Sequence, residues 1–178
     1  MVTTRTEVLE VIYRFYPRGV PVYDAAHDNS AAYDTSEEHR RLVEAAQRGR
    51  SEYPTWEAMI DRLGRRYGVQ NEALHLLAGG RDPAYSARIY LPGETISVHV
   101  SLLGPYYGIH HLGEREELAA IAGVIEATYP GYEPIPAELG DEVVPEVWVE
   151  SNPFGEATIA LCLFSEVWMW GGVREPGS

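Results

Sequence analysis

The residues with the most chemistry in them sit in one run, His99-Val-Ser-Leu-Leu-Gly-Pro-Tyr-Tyr-Gly-Ile-His-His111. It holds three of the chain's six histidines. Imidazoles gathered this way suit a metal site, an acid–base pair, or the polar face of a β-sheet. Adjacent side chains on a strand point to opposite faces, so His110 and His111 cannot chelate one ion together. No His-x-x-x-His or Cys-x-x-Cys spacing supplies further ligands, and Asp24, Asp28 and Asp34 lack the spacing and central glycine of a calcium loop. No metal and no cofactor is therefore expected. Neither a dinucleotide fingerprint, nor a phosphate-binding P-loop, nor a Gly-x-Ser-x-Gly elbow occurs. The single cysteine, Cys162, lies in the apolar run Ile159-Ala-Leu-Cys-Leu-Phe164, which suits a buried thiol better than a nucleophile.

Alternation sorts these residues into faces. If 69–77, 85–91 and 95–103 are strands, their apolar sets point one way. His75, Arg88, Tyr90, Ser97 and His99 then share the other face. In its plain form this is the wet side of a sheet. In its chemical form, two imidazoles and a guanidinium on one face can bind a phosphate or move protons on it. The alternative functions are thus a small phosphoester-acting enzyme or a small-ligand-binding domain using the His75/Arg88/Tyr90/His99 face. That face needs the register to hold, since a one-residue slip scatters it.

These positions depend on the elements that carry them. Val8 to Tyr16 is rich in β-branched and aromatic residues and stops at Pro17-Arg18-Gly19, so it reads as a strand. An irregular stretch, Val20 to Tyr33, follows. Thr35-Ser-Glu-Glu38 has the capping-box pattern and opens a helix to about Arg48, ended by Gly49. A second helix is expected from Pro54 to Tyr67, with Trp56, Met59, Ile60 and Leu63 as its buried face and Gly68 at its end. The four alternating runs that follow, through 106–112, read as an antiparallel meander punctuated by Gly79-Gly80, Pro92-Gly93 and Gly104-Pro105. A third helix spans about 114–129. A proline-broken acidic connection then leads to Val147-Trp-Val149 and to a central strand, 157–164. The expectation is one α+β domain over residues 1–178. It has a mainly antiparallel sheet of six to seven strands, with about three helices packed on one face.

Charge adds what the motifs do not. Twenty-seven acidic residues face fourteen basic ones, all arginine, for a net charge of −13. No basic residue lies between Arg115 and Arg174, where eleven acidic residues fall. Such a field repels nucleic acid and anionic membranes and attracts a basic protein surface. No run approaches the roughly 20 apolar residues of a membrane span, and no signal-peptide pattern opens the chain, so a cytoplasmic protein is expected.

An acidic α+β chain of this size without a catalytic signature resembles the immunity proteins of bacterial polymorphic toxin systems. Leu9-Glu-Val-Ile-Tyr-Arg-Phe-Tyr-Pro-Arg-Gly19, Phe154-Gly-Glu-Ala-Thr158 and Cys162-Leu-Phe-Ser165 are similar to segments of proteins from large-genome, GC-rich bacteria. The resemblance implies a non-catalytic protein that binds and neutralises a cognate toxin, standing in for phosphates where the toxin is a nuclease. Under it, Glu138, Asp141, Glu142, Glu146 and Glu150 are the partner-binding carboxylates, with Trp168 and Trp170 as apolar anchors.

Overall fold

The computed structural model describes residues 3–23, 31–113 and 115–165. Over these residues the chain is α+β, with five strands and seven helical segments. Its first element, α1 (Arg5–Ile12), overturns the strand expected there. Thr4 and Glu7 form a reciprocal capping box, and Val8, Ile12 and Tyr16 recur every four residues as buried positions. The helical period thus wins over the β-branched composition. A four-residue helix, α2 (Ala31–Asp34), ends the stretch expected to be irregular.

The two helices expected on either side of Gly49 are one, α3 (Glu37–Gly64). Ser36, not Thr35, caps it, accepting a hydrogen bond from the His39 N–H at 3.1 Å. The helix runs through Pro54, which has no N–H to offer the Arg50 carbonyl. Its buried stripe, from Leu42 through Ala46 and Trp56 to Leu63, continues on both sides of the proline and holds it together. Gly49 continues that stripe where the helix meets the sheet: a Cβ there would lie 2.5 Å from a Leu102 methyl. Gly68 starts β1 (Gly68–Asn71) and does not end the helix. Of the expected 69–77 strand only Val69, Gln70 and Asn71 pair, and the run then turns into α4 (Leu74–Leu77).

The meander itself is present. β2 (Ala84–Leu91) pairs antiparallel with β3 (Glu94–Ser101), β3 with β4 (Tyr106–His110), and β1 with β2. After α5 (Glu116–Thr128), the two-residue β5 (Glu133–Pro134) adds in parallel to β4, so the sheet is open and mixed in the order β1-β2-β3-β4-β5. Then come α6 (Ala137–Gly140) and α7 (Ile159–Phe164). The central strand expected at 157–164 is this last helix. An unbroken apolar run cannot by itself distinguish the two; the Thr158 hydroxyl, which accepts the Leu161 N–H at 3.3 Å, opens a helix. Val149 forms only an isolated bridge to Asn152 instead of a strand.

Helices lie on both faces of the sheet, not on one. Trp56, Met59 and Leu63 of α3 and Ile121 and Ile125 of α5 bury Tyr85, Ala87, Ile89, Ile96 and Val98. On the other side, α1 and α7 form a second core around Val8, Ile12, Tyr16 and Phe164, reaching Ala84 and Tyr106 of the sheet. Three layers result, and the middle layer is apolar on one side and only partly polar on the other.

Candidate functional site

The polar face proposed from alternation does not assemble. His75 is on α4, off the sheet and exposed, with its Nδ1 2.7 Å from the Asp82 carboxylate. His99 does occupy β3, opposite Ser86, and its Nδ1 lies 2.8 Å from the Ser86 Oγ. Yet it is fully buried, because α7 covers this end of the face and Phe164 stacks on its ring at 5.5 Å. Arg88 and Tyr90 remain in solvent at the uncovered end. Arg88 pairs with Glu72 at 2.9 Å, and Tyr90 donates to the Gln70 side chain. Of the four residues, two share an open surface and each is committed to a neighbour. His110 and His111 border a groove of about 360 Å³ between β4, α5 and α6, lined mainly by Tyr107, Ile109, Leu118 and Ile135.

The carboxylates of the acidic connection are all exposed: Glu138 on α6, then Asp141, Glu142, Glu146 and Glu150. Three of them reach across to arginines of distant segments. Arg5 pairs with Glu142, Arg18 with Glu146 at 2.7 Å, and Arg81 with Glu150 at 2.9 Å. Glu138 and Asp141 make no ion pair with an arginine among the described residues. Asp141 has its carboxyl pushed up by partial burial and by Glu138, against the opposing pull of His110. Glu146 holds a left-handed backbone, φ 62°, unusual for a residue with a Cβ. Its N–H donates to the Glu156 carboxylate at 2.6 Å and its carbonyl accepts from Gly19 at 2.8 Å, which fixes the turn. Trp168 and Trp170 lie outside the described residues. An aromatic not expected as an anchor follows this acidic connection: Phe154 is 91% exposed and has Tyr23 stacked beside it at 6.0 Å.

A second cluster was not expected at all. It gathers Asp34 from α2, His39 from the first turn of α3, Arg81 from the loop before β2, and Glu150. Arg81 donates one N–H to His39 Nε2 at 2.9 Å and another to Glu150. A guanidinium only donates, so Nε2 carries the lone pair and the ring proton sits on Nδ1. Burial and then the Arg81 charge hold the His39 pKa below its ordinary value, against the pull of Glu150 and Asp34, which favours this neutral form. Nδ1 itself is buried and has no hydrogen-bond partner among the described residues. Beside the cluster opens a cavity of about 280 Å³, bordered by Tyr16, Tyr33, Arg81, Asp82 and Glu150. The only local signal is the Ser36 cap, which fixes His39 on the first turn. Compared with known proteins, the chain matches no family model, no curated protein and no solved structure.

Proposed function

We propose that this chain is a non-catalytic binding protein that engages and neutralises a basic protein partner, a cognate toxin in the manner of an immunity protein. The observation that carries the reading is Phe154, 91% exposed on a connection where Glu138, Asp141, Glu142, Glu146, Glu150 and Glu156 are also exposed and no basic residue occurs. Phe154 and the exposed Tyr23 stack into a small aromatic patch, and aromatic side chains are enriched at binding hot spots. The ion pairs to Arg5, Arg18 and Arg81 do not oppose this. Exposed pairs contribute little to stability, so a partner's cations can replace those arginines at small cost. Exposed carboxylates on the same connection steer a cationic partner and block a groove built for phosphate.

The reading is tested by capturing the partner from source cells, purifying it, and titrating it against this chain at low and high salt. Binding should weaken as salt rises. Phe154→Ala should keep its thermal stability within about 0.5 kcal/mol of the parent, since the side chain packs little. The same change should cost about 2 kcal/mol of binding, roughly thirtyfold. Salt-insensitive binding, an unaffected Phe154→Ala protein, or substrate turnover by the chain alone would each overturn the reading.

A further inference from the structure

We propose that Asp34, His39 and Glu150 form a binding site for a divalent transition-metal cation, with Arg81 as a built-in competitor for the same ligands. One ligand atom from each of the three lies within 4.8 Å of the others, although the residues come from three separate segments. An imidazole and two carboxylates suit zinc and its neighbours, with water completing the coordination shell. The set is more than a meeting of surface acids, because His39 is only 4% exposed and Arg81 holds its Nε2 in the lone-pair form that a metal takes.

What fills the cluster in this conformation is the guanidinium. Arg81 bonds His39 Nε2 and Glu150 at once, and so supplies positive charge to the two groups a metal would take. Two cations cannot share that space. Arg81 can leave, because its side chain is 44% exposed, sits on a loop, and borders the adjoining cavity. Metal entry is therefore an exchange: the ion takes His39, Glu150 and Asp34, and Arg81 swings toward solvent. The site is independent of the partner reading, although Glu150 belongs to both surfaces.

The exchange gives a signature that a surface histidine cannot imitate. Zn²⁺ alone is titrated calorimetrically into the full chain and its variants. One ion should bind, and Arg81→Ala should bind it about fivefold more tightly, the loss of one exposed ion pair that the metal must otherwise break. His39→Gln should weaken binding by at least about tenfold, and His75→Ala, a control at an exposed histidine, should leave it unchanged. If His39→Gln does not fold, the exposed positions carry the test, with Asp34→Asn and Glu150→Gln each expected to weaken binding at least about tenfold. Zinc binding that survives these ligand changes, weakens in Arg81→Ala, or is absent from Arg81→Ala overturns the proposal.

Discussion

Individual side chains here act mainly by tying distant backbone together. Glu94, on β3, accepts the Leu112 N–H at 2.6 Å and pairs with Arg115, which anchors the start of α5 to the sheet. The Leu112 amide, and then Arg115, hold the Glu94 carboxyl below its ordinary value of 4.5, more than its partial burial raises it. Its contribution to stability is therefore complete above pH 4.5. It is lost as the pH falls through 4.5 toward the folded-state value, because the unfolded chain takes up the proton first. A Glu94→Gln protein should be less stable than the parent near neutrality, and the gap between the two should shrink in acid. Urea midpoints measured across that range check it; a constant gap would mean that the carboxylate charge is irrelevant. Residues of this kind are hard to see in a sequence. Glu94 looks like one turn residue after Pro92-Gly93, and His39 like one polar position on an amphipathic helix. Asp34, His39, Arg81 and Glu150 meet only because the fold brings α2, α3 and two loops together, so no spacing could announce them.

Elements were legible where one period had no rival. Tyr85 to Leu91 and Thr95 to Leu103 alternate cleanly between turn signals, and β2 and β3 lie there. The helix expected at 114–129 is α5 to within two residues at the start. The misreadings are all competitions between rules. At 8–16, β-branched composition argued for a strand while a capping box and a four-residue spacing argued for α1; the cap and the second core decided it. At 159–164 an apolar run gave no period, and the Thr158 cap decided it. At Gly49 and Pro54 two breakers stood inside a buried stripe, and tertiary burial overrode both. That last case has a measurable consequence. Pro54→Ala restores an N–H for the Arg50 carbonyl in a helix already held on both sides. It should stabilise the chain by about 1–3 kcal/mol, less whatever the freer unfolded chain takes back. A lower midpoint in urea would show that the proline is used by something other than the helix.

For the molecule as a whole, the net charge of −13 works against compactness. Screening that repulsion should raise the melting temperature of the free chain as salt is added, while the same salt weakens partner binding. A melting temperature that fell with salt would mean that pairs such as Arg18–Glu146 outweigh the repulsion. No helix of the described residues is long and apolar enough to cross a membrane. The molecule also has two cores separated by its sheet, and they are not assembled alike. The core under α3 and α5 draws on segments that follow one another along the chain. The core on the other side closes only when α1 meets α7, marked by Tyr16 donating to the Cys162 carbonyl 146 positions away. A chain emerging from the ribosome can therefore settle its first layer early, but part of the apolar side of α1 stays uncovered until α7 has been made and has left the ribosome. Stalled or shortened products would be sticky half-structures, easy prey for proteases, which makes synthesis through that late helix the step that decides whether a stable molecule accumulates.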